Sequence, residues 1–272
     1  MEKNVIRLKS LLKEDETDEV KQILKQDYKA FVDKLGDNVK DPKFVSALKS
    51  LSDKHPIKTS DISPSVQDLR PTQNEVVLDK SLSYPLTNVS SAEQFLKGGV
   101  VAVAGKSIVT AGGGKYVIDG HHRWSQVFCV NPDAKIKALD ITNINDPMQA
   151  LKATQIGIAA QIGKVPTAKG GGINLFTIDE KTLKQYVENT ITDDVLAVFN
   201  KYGKGQTKEE VANYIWGNVQ LLKKDASPVP GAPPRDVMPQ TDDAPQFKDS
   251  AVDVGKVSET ISRLKKLAGL KR

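Results

Sequence analysis

The chain is poor in cysteine and has no long apolar run. Cys129 is the only cysteine among 272 residues, so no intramolecular disulfide can form and a reducing compartment, the cytoplasm, is expected. No stretch reaches the roughly eighteen consecutive apolar residues of a membrane-spanning helix, which predicts no membrane contact. Aromatic residues make up only 6% of the chain, but its 39% of hydrophobic residues is enough for a packed core.

The chain also lacks a strong excess of either charge. Its 39 lysine and arginine residues are interspersed with 34 acidic residues, giving a net charge of +5. This mild basic bias permits contact with nucleic acid but does not demand it. A DNA-binding protein or nuclease therefore ranks last among the candidate functions, because no recognition helix and no paired metal carboxylates can be identified.

Helical patterns dominate the two ends of the chain. Residues 1–59 are predicted to form a helical N-terminal arm, in which Gly36 ends one helix and Asp41-Pro42 begins the next. Residues 164–225 are predicted as a helical extension with helices at about 178–201 and 207–224, the second opened by the capping box Thr207-x-x-Glu210.

The last part of the chain has two compositions. Residues 226–250 are rich in proline and aspartate and predict an extended, disordered linker. Residues 251–272 have a narrow apolar stripe among lysine and arginine residues, which predicts a basic amphipathic helix. A protein partner or larger assembly for the arm and the Pro-rich tail fits this pattern better than a membrane or nucleic acid.

Residues 60–163 mix strand and helix patterns and are predicted to form the central domain. Short β-like runs occur at Glu75 to Leu78, at 100–104, at 107–110 and at 115–118, and residues 111–114 read as a hairpin turn. A further strand is predicted at 136–141, followed by a helix from Asp146-Pro147 to about Gln161. The predicted fold class is therefore α+β, with a small mixed-sheet core between helical segments.

The sequence Tyr-Val-Ile-Asp-Gly-His-His-Arg at 116–123 concentrates polar chemistry at one junction. An apolar strand leads into Asp119-Gly120, and the amphipathic spacing of a helix begins directly afterwards. The start of a helix favours anions, because its first N–H groups lack intrahelical acceptors and the helix dipole is positive there. Arg123 could add a bidentate grip on a phosphate. The alternative is an ordinary turn in which Asp119 caps the helix and both histidines are solvated.

His121 and His122 differ in their expected roles. Adjacent residues on a helix point about 100° apart, so one ring is expected to face a ligand and the other to orient the loop. Their spacing does not match the zinc-binding pattern H-E-x-x-H, and no cysteine pair assists, so no protein metal site is predicted.

The residues Asp-Leu-Arg-Pro-Thr-Gln-Asn-Glu at 68–75, followed by Tyr116 to Trp124, resemble the ParB/sulfiredoxin superfamily over about 65–145. That resemblance implies a compact mixed α/β core in which a G-x-x-R loop and a helix N-terminus surround nucleotide phosphates. Sulfiredoxins have a catalytic cysteine at the position of His121, so sulfinic acid repair is not expected. Partition ParB proteins have a helix-turn-helix that this chain lacks, which disfavours a CTP clamp.

The D-G-H-H-R sequence is similar to the free serine kinase branch and to ParB-like proteins often labelled nucleases, many of them encoded by phages. The resemblance implies ATP or ADP, in preference to CTP, bound with Mg²⁺. It implies Gly120, His121, His122 and Arg123 as the nucleotide-binding residues. It also implies Glu75, Asp119 and His121 as the catalytic residues, with Glu75 as the base and His121 stabilising a phosphate.

Two main functions follow from these observations. The first is a nucleotide-binding protein that transfers or hydrolyses a phosphoryl group, as a kinase or NTPase. The second is a virion-associated structural or accessory protein of a phage, in which the core is only a binding module, located in the virion or the host cytoplasm. Convergence of Glu75 and Asp119 with His121 and Arg123 on one pocket would distinguish them.

Overall fold

A computed structural model of the protein describes residues 22–54, 56–165 and 171–238. Residues 1–21 of the predicted N-terminal arm, the end of the Pro-rich segment at 239–250 and the predicted basic helix at 251–272 lie outside the described residues. Within the described ranges the fold is α+β, with helices on both faces of a mixed five-stranded sheet.

The secondary structure elements follow one another closely. The helices are α1 (Tyr28–Asn38), α2 (Pro42–Lys54), α3 (Leu78–Thr87), α4 (Val89–Lys97), α5 (His121–Val130), α6 (Pro147–Ile162), α7 (Glu180–Thr190), α8 (Asp193–Lys201) and α9 (Lys208–Asp225). The strands are β1 (Thr59–Ile62), β2 (Arg70–Pro71), β3 (Val100–Val101), β4 (Ile108–Ala111), β5 (Tyr116–Asp119), β6 (Lys135–Ile136) and β7 (Ala138–Ile141). Short 3₁₀ turns lie at Val66–Asp68 and Arg235–Val237.

The main sheet has the strand order β1-β7-β4-β5-β2. β7 runs parallel to β4, and β5 runs parallel to β2, while the pairs β1/β7 and β4/β5 are antiparallel. β3 and β6 form a separate parallel pair. The turn at Asp119-Gly120, which follows β5, therefore begins on the strand next to the edge strand β2.

Two hydrophobic cores cover the two faces of the sheet. Side chains alternate along each strand, so Ile108 and Val117 face one core while Val109 and Ile118 face the other. Helices α3, α4, α5, α7, α8 and α9 close the first core, and α1, α2 and α6 close the second. Residues 22–54 are therefore a layer of the fold rather than an appended arm, and the helices of 180–225 also pack on the sheet domain.

Several helix boundaries differ from the sequence predictions. The helix expected to end at Gly36 continues to Asn38, and it starts at Tyr28 because the Asp27 carboxylate accepts a hydrogen bond from the amide of Ala30 at 2.9 Å. The predicted starts at Pro42 and Pro147 are confirmed, as is the capping box of α9.

The strand predicted from Glu75 to Leu78 is wrong. Residues 75–77 form a loop with a single bridge between Val77 and Asn174, and Leu78 begins helix α3. The helix forms because Leu78, Leu82 and Leu86 recur every four residues and bury one stripe in the first core. Glu75 is therefore a loop residue.

The Pro-rich segment also differs from its prediction. Residues 226–238 are irregular, with a turn at 230–231 and the 3₁₀ turn Arg235–Val237, and they lie against the sheet domain instead of forming a free linker. Val229 donates a backbone hydrogen bond to Pro71 at 3.0 Å, and Val237 and Met238 are buried in the second core. The segment is ordered because it hydrogen-bonds to the open edge of β2 and buries apolar side chains.

Candidate functional site

Gly120 forms the sharp turn between β5 and α5. Its backbone is left-handed, with φ 90° and ψ 26°. A Cβ atom there would lie 2.7 Å from Ile108 Cγ2 and 3.0 Å from Arg123 Nη2, so only glycine fits without a shift of its neighbours. Helix α5 starts without a side-chain cap and without an acidic residue in its first turn. No carboxylate within that turn therefore offsets the partial positive charge of its first N–H groups.

Asp119 and Arg123 pair with each other across this turn. Arg123 Nη2 lies 3.2 Å from Asp119 Oδ2, and Arg123 Nη1 donates to the carbonyl of Ser107 at 2.9 Å. The Asp119 side chain is 21% exposed and the Arg123 side chain is 18% exposed. Arg123 thus ties the first turn of α5 to the residue before β4, and Asp119 is an ion-pair partner rather than the helix cap.

His121 is buried beneath the loop. The residue is only 5% exposed, and its Nε2 lies 3.3 Å from Thr72 Oγ1. The Thr72 hydroxyl donates to the carbonyl of Val117 at 2.7 Å, so the imidazole is the donor toward Thr72. Burial, with a contribution from the charge of Arg123, lowers the pKa of His121 to about 3. The ring is therefore neutral at pH 7 and joins α5 to β2 and β5.

His122 points toward the loop that carries Glu75. Its Nε2 accepts a hydrogen bond from the backbone amide of Val77 at 3.2 Å, so that nitrogen carries no proton. Burial, followed by the positive charges of Arg235 and Lys80, lowers the pKa of His122 to about 3. The two histidines serve different partners, as the 100° step of a helix predicts.

These two imidazoles should make the protein sensitive to acid. Each has a folded-state pKa of about 3 against 6.5 for the free side chain, so the unfolded chain binds more protons between these values. Stability should be full above about pH 6.5 and fall as the pH decreases toward 3, by at most about 1.4 kcal/mol per pH unit for each histidine. Urea unfolding at pH 7, 6 and 5 measures this slope. The variant His122→Asn should show a shallower slope, whereas an unchanged slope would contradict the assignment.

Glu75 lies in a loop that three distant segments hold in place. Its Oε2 accepts a hydrogen bond from the backbone amide of Arg235 at 3.3 Å, and its carbonyl accepts one from the Gln73 side chain. Asn174 brackets the same loop, since its Oδ1 accepts from the amide of Val76 and its Nδ2 donates to the carbonyl of Asn74, both at 3.1 Å. The carboxylate is thus half-buried and fixed, although it is not in a strand.

Arg235 is a site residue that the sequence does not reveal. It comes from the Pro-rich segment, yet it is only 7% exposed, and its charge acts on both Glu75 and His122. Burial lowers the pKa of its guanidinium, and Glu75 opposes that effect. No local motif marks this arginine, because the contact with Glu75 spans 160 positions of sequence.

The predicted site residues therefore fall into two groups around the start of α5. Glu75 and His122 lie together with Arg235 on one side, while Asp119 and Arg123 are paired on the side of β4. His121 lies beneath both groups. In the ranges 22–54, 56–165 and 171–238, no three His, Cys, Asp or Glu side chains come together as a metal site.

A helix must be both long and apolar to cross a membrane. None of the described helices combines the length and apolarity needed to cross a bilayer. α6 is the most apolar on average, but it has only 16 residues.

Comparisons with known proteins identify no relative. No family model matches the chain, and neither the search of curated proteins nor that of solved structures finds a match.

Proposed function

We propose that the protein binds the phosphates of ATP or ADP, together with Mg²⁺, at the N-terminus of α5 and transfers or hydrolyses a phosphoryl group. The observation that carries this proposal is the left-handed Gly120, which starts α5 with no side-chain cap and no acidic residue in the first turn. Such a turn presents backbone N–H groups and the positive end of the helix dipole to an anion. The resemblance to nucleotide-binding ParB/sulfiredoxin domains supports the same location.

The chemistry of the surrounding residues fits a polyphosphate. Lys80 and Arg235 bring positive charge to the His122 side of the helix start, and Arg123 brings it to the other side. Mg²⁺ neutralises phosphate charge when it enters with the nucleotide. In the described residues no protein cluster competes for that ion.

Glu75 is the carboxylate best suited to act as the base. Asp119 is committed to Arg123, whereas the Glu75 side chain accepts its hydrogen bond from a backbone amide. In the proposed reaction Glu75 takes the proton from a hydroxyl or water oxygen as that oxygen bonds to the terminal phosphorus. The bond from phosphorus to the bridging oxygen breaks, and the leaving group is ADP when ATP is the donor or AMP when ADP is the donor. His121 is neutral, so it acts by holding Thr72 rather than by supplying charge.

A binding module without turnover is the second candidate. The Asp119–Arg123 pair favours it, because one of the two predicted catalytic carboxylates is already neutralised. Under this alternative the core would bind a nucleotide while the chain functions within a larger assembly, such as a virion.

Calorimetric titration of ATP, ADP and CTP with Mg²⁺ tests the proposal, with phosphate release measured in parallel. Arg123→Ala should weaken nucleotide binding by about 10-fold or more, because a charged hydrogen bond contributes roughly 1.5–3 kcal/mol and the loop loses its tie to Ser107. Arg123→Lys should retain part of the affinity. Lys29→Ala is the matched control, since it removes a lysine that pairs with an aspartate four residues away on α1.

Each outcome of this titration discriminates between the candidates. Binding with phosphate release supports phosphoryl transfer, and binding without release supports the module. If no nucleotide binds to the wild-type protein, or if Arg123→Ala and Lys29→Ala bind equally, the phosphate site at α5 is wrong.

A further inference from the structure

The C-terminal arm, which we define as residues 226–238, is attached to the sheet domain along its whole length. At its beginning, the Arg70 side chain donates from Nε to the carbonyl of Ser227 at 3.0 Å and from Nη2 to that of Pro228 at 3.2 Å. The amide of Val229 donates to the carbonyl of Pro71 at 3.0 Å. The start of the arm therefore lies along the open edge of β2.

Beyond β2 the C-terminal arm contacts the Glu75 loop directly. The amide of Asn74 donates to the carbonyl of Pro233 at 3.0 Å, and the amide of Arg235 donates to Glu75 Oε2 at 3.3 Å. Val237 and Met238, 6% and 3% exposed, then anchor the end of the arm in the second core. The part of the arm that contacts the loop thus lies between two anchored ends of the arm.

These contacts bear on the geometry of the site because the other restraints on the loop act on its backbone rather than on the Glu75 carboxylate. Its bond from Val77 to His122 fixes the end near α5, and Asn174 fixes the backbone on either side of Glu75. The Glu75 carboxylate itself is oriented by the arm. A side chain that is free to rotate loses much of its effectiveness as a base, because proton transfer requires hydrogen-bonding distance and direction.

We infer that the C-terminal arm is a positioning element of the candidate site, which orients Glu75 for proton transfer at the start of α5. The inference rests on the proposed function for its catalytic consequence. Its structural part, that the arm orders the loop at 72–77, holds independently of any nucleotide.

Arg70→Ala in the full chain is the best test, because Arg70 contacts the arm at Ser227 and Pro228 and lies outside the proposed catalytic group. Hydrogen exchange of the Val229 amide reports whether the arm detaches, and exchange of the Val76 amide, whose acceptor Asn174 Oδ1 lies outside the arm, reports whether the loop loosens. Both should become at least 10-fold faster. The rate constant kcat for phosphate release should fall about 3- to 10-fold while KM stays within 2-fold, because the phosphate-binding turn is unchanged.

Three further variants complete the test. Arg70→Lys keeps a cation that can donate to the same carbonyl groups and should recover part of kcat. Asp236→Asn changes an exposed arm residue and should leave exchange and kcat at wild-type values. If the Val229 amide stays protected in Arg70→Ala, Val229→Pro removes that donor outright, and the Val76 amide is measured there.

The inference is overturned if Val229 exchanges faster, or is replaced by proline, while the Val76 amide keeps its wild-type protection. If the wild-type protein binds no nucleotide, the proposed function is wrong. The hydrogen-exchange experiment still tests whether the arm orders the loop. Faster Val76 exchange with an unchanged kcat would show that the arm orders the loop without positioning a base, which contradicts the inference.

Discussion

Gly120→Val should lower the free energy of unfolding by roughly 3 kcal/mol and weaken nucleotide binding by more than about 100-fold. A left-handed backbone at φ 90° is strained for any residue with a Cβ and more so for a β-branched one. The new Cβ would also overlap Ile108 Cγ2 and press on the Arg123 guanidinium. Relief of this overlap must move the first turn of α5, whose N–H groups are the proposed phosphate ligands.

Denaturant unfolding and calorimetric titration measure the two effects of Gly120→Val separately. Gly157→Ala in α6 is a matched control, because nothing lies within 4 Å of the position that its Cβ would take and its backbone is helical. That substitution should raise stability by about 0.5–1 kcal/mol and leave binding unchanged. A Gly120→Val protein with wild-type stability and affinity would show that the turn tolerates a side chain, and the phosphate-binding geometry would have to be abandoned.

The position of this turn could be predicted from the sequence because its determinants are local. An apolar strand, Asp-Gly and an amphipathic spacing occur within a few residues, and the structure places the strand end at Asp119 and the helix start at His121. The helix starts at Pro42, Pro147 and Thr207 were predictable for the same reason. Caps and first-turn prolines act within one turn of the residue that they stabilise.

The partners of the site residues could not be predicted, because they come from distant parts of the chain. Thr72 reaches His121 across 49 positions, and Arg235 reaches Glu75 across 160. A composition rich in proline favours an extended segment, but it does not show whether the segment finds an open sheet edge. Here β2 supplies that edge, so a predicted linker is part of the site.

The Glu75 loop shows how a local pattern can mislead. Val76 and Val77 are β-branched and buried, which favours a strand by propensity alone. The leucine stripe that begins at Leu78 is a longer signal, and its burial in the first core makes residues 78–87 helical instead. The error concerns backbone conformation, and the same loop reaches the start of α5 through the hydrogen bond from Val77 to His122.

Glu75→Gln should lower the rate of phosphate release by roughly 100- to 1,000-fold, because a positioned general base contributes about 10²–10⁴ to a rate. The amide oxygen of glutamine can still accept the hydrogen bond from Arg235, so the C-terminal arm should stay docked. Nucleotide affinity should therefore remain within a few-fold of wild type. Single-turnover phosphate release with parallel titration separates the rate from the affinity.

Glu209→Gln makes the same chemical change at an exposed position in the first turn of α9 and should leave phosphate release unaltered. Equal rates for Glu75→Gln and the wild type would exclude Glu75 as the base. A loss of affinity equal to the loss of rate would instead assign Glu75 to nucleotide binding. Only a selective loss of rate fits a carboxylate that touches the reacting oxygen and is held there by the C-terminal arm.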